Sequence, residues 1–200
     1  MMTPELHRWF VETASRQSQK LARDIAAHGP LWFPDREDHG PAAFLARAII
    51  GQQISAAAAR GIWARIETSA RDRGMSIADF FRHTDAPTLR ACGLSGNKAK
   101  AVLHIQEAAA LGLLGELRTL DAAERAQRLL GIWGVGPWTR DMTAIFYCRD
   151  PDIWPEGDLA VMRAFRGYIG RRKPAKASAS FAPYRSLLAL YMWRFAGGQP

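Results

Sequence analysis

Cysteine is scarce in this chain, and long apolar runs are missing. Two cysteines, Cys92 and Cys148, are too few for a disulfide scaffold, a four-thiolate iron–sulfur cluster or an all-cysteine zinc site. No run of about 18 apolar residues occurs, which excludes a membrane-spanning helix. The first turns of the chain carry Glu5 and Glu12, which is not the composition of a secretory leader. We therefore expect a globular cytoplasmic protein.

Acidic residues are absent beyond Asp158. The chain has 27 basic and 19 acidic residues, a net charge of +8, and residues 1–158 hold all 19 acidic ones with 19 basic ones. The other basic residues are Arg163, Arg166, Arg171, Arg172, Lys173, Lys176, Arg185 and Arg194. Such a stretch is either a solvated basic tail or part of a surface for a polyanion. Aromatic residues and regular apolar spacing continue through it, which favours a nucleic-acid partner.

Alternating patterns typical of strands are missing as well, whereas helical spacing recurs throughout. The sequence therefore predicts an essentially all-α protein. A helix over 4–28 is followed by a polar loop over 34–41 that separates two lobes, one of about 35–150 and the other of about 1–34 plus 151–200. Capping residues mark later helix starts at Ser55, Ser76 and Asp121. The segment 171–180 is predicted to be a mobile basic loop.

A tight turn with two glycines joins two predicted helices in the segment 129–139. Gly134 and Gly136 permit positive φ and close approach of a ligand to bare backbone, and Pro137 suits the first position of a helix. Amides at such a helix start can bind a phosphate oxygen. The alternative is a purely structural turn between helices.

Asp158 lies 22 residues beyond Gly136, at the start of another predicted helix. Leu159, Met162 and Phe165 form an apolar stripe there, so Asp158 is either a simple capping residue or a catalytic carboxylate, and the two roles are compatible. The last predicted helix, 183–195, carries an apolar stripe that leaves Trp193 outside it. Its ring is covered either by a second packing surface or by a ligand pocket.

Five segments together resemble the helix-hairpin-helix DNA glycosylase superfamily. They are Gly51-Gln52-Gln53-Ile54-Ser55, Gly93-Leu94-Ser95-Gly96-Asn97-Lys98, the hairpin Leu130 to Thr139, Asp158-Leu159-Ala160-Val161 and Pro183-Tyr184-Arg185-Ser186. The resemblance covers about residues 40–196 and is greatest to the branch that contains the bacterial type II DNA-3-methyladenine glycosylases. It implies one glycosylase unit of two helical lobes with a central cleft, active on bacterial nucleoid DNA.

The resemblance also implies a reaction. One damaged nucleotide of double-stranded DNA is turned out of the stack, because its glycosidic carbon is otherwise out of reach. Asp158 then faces the sugar, where a carboxylate about 4 Å from the developing positive charge contributes roughly 4 kcal/mol at an effective dielectric constant of 20. Superfamily members that also cleave the strand have a lysine where this chain has Trp138, and an indole cannot form a Schiff base. A monofunctional hydrolase that leaves an abasic site is expected.

Further site residues follow from the resemblance. Trp138 and Trp193 line a pocket for a cationic alkylated purine, although Trp138 also fits a core stripe. Gln53 fills the space left by the nucleotide, or else it caps a local turn. The expected DNA contacts are Gln53, Gly134, Val135, Gly136, Thr139 and Arg185. No cofactor is required and no iron–sulfur cluster is expected. An alkali-metal ion is expected on the carbonyls of Leu130, Ile132 and Val135.

Three functions remain open at this point. The favoured one is a monomeric glycosylase that removes 3-methyladenine and 7-methylguanine. The second is a glycosylase of the same fold for an oxidised or deaminated base, and the third is a helix-hairpin-helix protein that only binds the DNA backbone. The position of Asp158 argues against the third.

Overall fold

The computed structural model describes residues 2–34 and 39–197, and its regular structure is helical. No strand occurs among those residues, so the predicted all-α class is confirmed. A π-helical turn follows the ninth helix, and a 3-10 turn follows the eleventh. In chain order the elements are α1 (Pro4–Gln17), α2 (Gln19–His28), α3 (Gly40–Gly51), α4 (Ala56–Asp72), α5 (Ile77–His83), α6 (Ala86–Ala91), α7 (Gly96–Ala110), α8 (Ala122–Leu130), α9 (Pro137–Met142), the π turn (Thr143–Tyr147), α10 (Leu159–Ile169), α11 (Pro174–Ser178), the 3-10 turn (Ala179–Phe181) and α12 (Arg185–Phe195).

The chain divides into two compact units. One contains Arg36–Thr143, and the other combines Met1–Asp35 with Ala144–Pro200. The second boundary thus falls in the π turn, a few residues before the position near 150 that the sequence suggested. Part of the predicted inter-lobe loop, residues 35–38, lies outside the described residues.

Apolar side chains of α3 to α7 form the core of the 36–143 unit. Trp63 and Ile66 of α4 are buried, and the Trp63 ring stacks on Phe81 of α5 with 5.8 Å between centroids. The helix starts predicted at Ser55, Ser76 and Asp121 are present, and each of those side chains accepts from a first-turn amide. These caps satisfy amides that a helix leaves unpaired, which sets where the short helices begin.

In the other unit, α12 is buried on all sides. Every residue from Ser186 to Trp193 is buried, so the single apolar stripe predicted for this helix was too narrow. Phe10 of α1 packs against Tyr191 of α12 with 5.9 Å between ring centroids. A helix that is apolar all round belongs in the middle of a core, and the position of Trp193 is set by that packing.

Two other predictions in this unit were wrong. The helix expected over 4–28 is broken at Ser18, whose extended backbone ends α1 and whose hydroxyl caps α2. The expected mobile loop over 171–180 contains α11, and Arg172 ties the segment to α1 by donating to the Gln17 carbonyl.

No described helix has the length and apolar character needed to cross a membrane.

Candidate active site and hairpin

Asp158 is the N-cap of α10, and only 8% of its surface is exposed. Its Oδ1 accepts from Val161 N at 2.9 Å and from Trp193 Nε1 at 3.2 Å. The structure therefore brings together two predicted site residues that are 35 positions apart in the chain. Because both donors bind the same oxygen, the orientation of the carboxylate is fixed.

The start of α10 has one buried face and one exposed face. Trp193 is 7% exposed, and its ring lies 5.3 Å from that of Phe146 in the π turn, centroid to centroid. Val161 and Phe165 are fully buried, whereas Leu159 is 81% exposed. The prediction that Leu159 belongs to the core stripe was therefore wrong. Asp158 is itself buried and directly precedes the exposed Leu159.

A hydrogen-bonded cluster ties the loop before Asp158 to α12. Arg185 Nε donates to Asp152 Oδ1 at 2.8 Å, and its Nη2 donates to Asp152 Oδ2 at 2.9 Å. Burial alone would raise the pKa of Asp152, but the hydrogen bonds and charge of Arg185 outweigh it and lower that pKa below its usual range. Ser186 Oγ also accepts from Ile153 N at 2.9 Å. Sequence reasoning assigned Arg185 to DNA and missed Asp152, because no local pattern links these two residues.

The hairpin is built around one close contact. Gly134 has φ +88, and a Cβ at this position would lie 2.4 Å from Ala101 Cβ on α7. Only glycine allows both that backbone and that approach. Gly136 has φ −94 and is the N-cap of α9, which starts without a side-chain cap. Of the two glycines that permit positive φ, only Gly134 adopts it.

The hairpin residues differ in exposure. Trp133 is 44% exposed, with Lys100 Nζ 4.6 Å from its ring centroid, while Ile132 and Val135 are buried. Ile132 O already accepts from Val135 N at 3.0 Å. Within residues 2–34 and 39–197, no three His, Cys, Asp or Glu side chains are grouped to hold a metal ion. The predicted alkali-metal site on the carbonyls of Leu130, Ile132 and Val135 would use main-chain oxygens and none of these side chains.

The loop between α3 and α4 contacts both α7 and α9. Gln52 Nε2 donates to Thr139 Oγ1 at 2.7 Å. Lys98 Nζ donates to Ile50 O at 2.8 Å and to Gln52 O at 2.7 Å, and burial lowers the pKa of this ammonium group. Gln53 is exposed with φ +55. Thr139, predicted to contact DNA, is fully buried, so in this structure its hydroxyl faces Gln52 and not solvent.

Trp138 is the second residue of α9 and is half-buried. Met142 and Ile145, which share its predicted apolar stripe, are buried. Trp138 thus lies at the partly exposed end of that stripe. Its position is compatible with both interpretations of this residue, a core side chain and a pocket wall.

Comparison with known proteins finds relatives that are named DNA-3-methyladenine glycosylases. No protein-family model matches the chain. DNA-3-methyladenine glycosylase 1 of Schizosaccharomyces pombe is 32% identical over 160 residues, covering 75% of this chain and 70% of that protein. DNA-3-methyladenine glycosylase 2 of Escherichia coli is 27% identical over 165 residues, and the match spans 57% of its length.

A solved structure shares the fold. The S. pombe 3-methyladenine DNA glycosylase in complex with abasic DNA superposes with a TM-score of 0.78 at 30% identity, over 92% of this chain and 94% of that one. The fold and the hairpin thus define a helix-hairpin-helix DNA glycosylase. More narrowly, the chain belongs to the DNA-3-methyladenine glycosylase family.

Proposed function

We propose that the protein turns a damaged nucleotide out of duplex DNA and hydrolyses the bond between its base and its sugar. The substrates are alkylated purines of the 3-methyladenine and 7-methylguanine type, and the product is an abasic site. The observation that carries this proposal is the hydrogen bond from Trp193 Nε1 to the buried Asp158 carboxylate, in a chain of this family. The S. pombe relative was solved with abasic DNA, which is the product expected of the reaction.

In the proposed mechanism Asp158 acts on the sugar. As the C1′–N bond breaks, its electron pair leaves with the base and positive charge develops on the deoxyribose. The carboxylate stabilises that charge and orients a water, whose oxygen forms the new bond to C1′ while its proton passes to solvent. Val161 N and Trp193 Nε1 hold the carboxylate in place before the substrate arrives. Such preorganisation avoids a reorganisation cost during the reaction.

The proposed lesion preference rests on aromatic rings. A purine alkylated at N3 or N7 is cationic, and an electron-rich ring favours it over a neutral base by about 0.5–2 kcal/mol. Its glycosidic bond is also weakened by the charge. Trp193, which lies beside Asp158, is the proposed ring, and the resemblance implies the same role for Trp138. The type II identity is supported by the E. coli relative.

We further propose that the enzyme has no strand-cleaving activity. A lyase step needs an amine that attacks C1′ and forms a Schiff base. By the resemblance, Trp138 stands at the position of the lysine that performs this step in bifunctional members, and an indole cannot replace that lysine. The strand is therefore left intact beside the abasic sugar.

DNA is proposed to contact the backbone of the hairpin. The proposed phosphate contact is the turn at Gly134, Val135 and Gly136, because α9 begins there without a side-chain cap. The amide of Val135 already donates to Ile132 O, so the amides that the proposal uses are those at the start of α9. Carbonyl oxygens of the same turn are hard ligands that suit an alkali-metal ion, which would help to neutralise that phosphate. Thr139 and Arg185 already have protein partners for their side chains, so any contact from Thr139 involves its backbone. The protein is expected to act as a monomer.

The direct test uses DNA treated with a methylating agent. Wild-type protein should release 3-methyladenine and 7-methylguanine, identified by chromatography, and Asp158→Asn should release neither. Asparagine caps helices as well as aspartate does, so this variant keeps the start of α10 while losing the charge. The matched control is Asp85→Asn, which changes the exposed N-cap of α6 and should leave release unchanged.

Each competing function predicts a different result. Equal release by Asp158→Asn would remove this residue from the mechanism. Release only from a parallel substrate that contains oxidised or deaminated bases would favour the second function, and salt-sensitive duplex binding without any release would favour the third. Borohydride trapping tests the lyase claim separately, since a covalent protein–DNA adduct would contradict it.

A further inference from the structure

Lys98 binds the end of α3. Its Nζ donates to Ile50 O at 2.8 Å and to Gln52 O at 2.7 Å. Ile50 lies in the last turn of α3 and Gln52 follows the helix, where carbonyls lack partners within the helix and the helix dipole places partial negative charge. A half-buried cation therefore fixes the backbone at the point where the loop to α4 begins.

Gln53, the next residue, has an unusual backbone conformation. Its φ of +55 lies in the left-handed region, which residues with a Cβ seldom adopt. Such a conformation persists only where surrounding contacts hold the chain. Lys98 holds the carbonyl of Gln52 on one side, and Ser55 caps α4 on the other through Ala58 N. An exposed amide side chain is thus carried by backbone that is fixed at both ends.

The same loop is tied to the helix that follows the hairpin. Gln52 Nε2 donates to Thr139 Oγ1 at 2.7 Å, and Thr143 Oγ1 donates to Thr139 O at 2.8 Å. Thr139 is fully buried and Gln52 is half-buried, so this contact is partly shielded from water. The loop that carries Gln53 and the helix that starts at the hairpin are therefore held in one geometry.

We propose that Lys98 and Gln52 are positioning residues that form a clamp, which holds Gln53 in the conformation from which it enters the space left by an extruded nucleotide. The inference rests on the proposed function and on the role that the resemblance implies for Gln53, and the two clamp residues act through Gln53. A side chain that replaces a base in the stack works best when it is already ordered, because ordering it on insertion costs conformational entropy. The clamp therefore speeds the opening of a paired lesion and matters little for an unpaired one.

The test compares two duplexes that differ at one nucleotide. One has 7-methylguanine paired with cytosine, and the other has it opposite an abasic site. Single-turnover base release is measured for wild type, Lys98→Met, Lys98→Arg, Gln53→Ala and the double variant Lys98→Met/Gln53→Ala. Gln52→Met is included because it breaks the link to α9 without leaving two carbonyls unpaired. Arg90→Met, on the exposed face of α6, is the control.

The expected pattern separates positioning from general stability. Lys98→Met and Gln53→Ala should each slow release from the paired duplex roughly tenfold, and the double variant should be no slower than Gln53→Ala, because residues that act through one another are not additive. Gln52→Met should show a smaller loss. Lys98→Met and Gln52→Met, which change positioning residues, should stay within about threefold of wild type on the unpaired lesion, and Lys98→Arg should recover most of the paired rate.

Several results would overturn the clamp. Additive losses in the double variant, or equal losses on both duplexes, would reduce Lys98 to a residue needed only for folding. If Lys98→Met does not fold, a wild-type rate for Gln52→Met on the paired lesion would refute it. A 2-aminopurine placed next to the lesion in the same strand, with 7-methylguanine still paired with cytosine, reports base-pair opening without bond cleavage. If base-pair opening depended on Lys98 but no base were released from either duplex, the proposed function would be contradicted, whereas the clamp would be supported.

Discussion

The structure leaves no room for a side chain at Gly134, not even for one methyl group. Gly134→Ala would place a Cβ 2.4 Å from that of Ala101 and would hold alanine at φ +88. The two effects together should lower the free energy of unfolding by about 2–4 kcal/mol, measured by chemical denaturation. Gly136→Ala is the control, because its backbone is ordinary and no atom lies within 4 Å of the added carbon. Equal losses from both substitutions would contradict the close hairpin contact.

Trp193 combines a ring and a donor, and the two can be separated. Trp193→Phe keeps an aromatic ring near Phe146 but removes the Nε1 donor to Asp158. A hydrogen bond to a charged group contributes about 1.5–3 kcal/mol, so base release in single turnover should slow by roughly tenfold or more while DNA affinity changes little. Trp9→Phe, in the aromatic cluster of α1, is the control. An unchanged rate for Trp193→Phe would show that this hydrogen bond does not support catalysis.

At the scale of elements, the site depends on a loop fastened to a buried helix. The segment before α10 is tied to the start of α12 by Asp152 with Arg185 and by Ile153 with Ser186. Because α12 is buried all round, it offers this loop a rigid support. The same helix carries Trp193, so a single element sets both the approach to Asp158 and one of the donors to its carboxylate.

The Asp152–Arg185 pair predicts a change in stability with pH. The pKa of Asp152 is lower in the folded than in the unfolded chain, so the folded state binds fewer protons. The contribution of the pair is therefore fully present above the ordinary carboxyl pKa of about 4 and is lost as the pH falls through the lowered value. Asp152→Asn should cost about 1–3 kcal/mol at pH 7 and progressively less in acid, measured by denaturation at each pH.

A matched exposed pair provides the control for that measurement. Asp79 and Arg82 form an ion pair at 2.7 Å on α5, and both side chains are largely exposed. Asp79→Asn should change stability by less than about 1 kcal/mol, because solvent screens such pairs. A loss for Asp152→Asn that stayed constant from pH 7 to below pH 3 would mean that its ion pair is not the cause.

For the whole molecule, local signals were predictable and distant contacts were not. Ser55 and Asp121 could be predicted as helix starts because a cap binds an amide within three residues. The turn at the hairpin glycines is likewise visible in a few consecutive residues. The break at Ser18 was missed because apolar spacing continues across it. The bond between Trp193 and Asp158 depends on how α12 packs against its own unit, which no short pattern encodes. The resemblance supplied these two residues as members of a site but not their contact.

The uneven distribution of charge leads to the last prediction. The excess cations lie beyond Asp158, but Arg172 already donates to Gln17 and Arg185 to Asp152. Arg163 and Arg166 of α10 are exposed and lie one to two turns after the candidate carboxylate. An extruded nucleotide stays attached to the phosphates on either side of it, so cations on this helix are well placed to bind them.

Salt dependence tests whether these two arginines bind phosphate. Each phosphate contact adds about 0.9 to the slope of log affinity against log salt, so Arg163→Gln/Arg166→Gln should reduce the slope for duplex DNA by up to about 2. Arg8→Gln/Arg82→Gln is the matched control, because those arginines are paired with Glu5 and Asp79. If the two double variants gave the same slope of log affinity against log salt, Arg163 and Arg166 would be solvated charges that do not bind phosphate. The slope reports the counterions that are released when cations of the protein bind DNA phosphates.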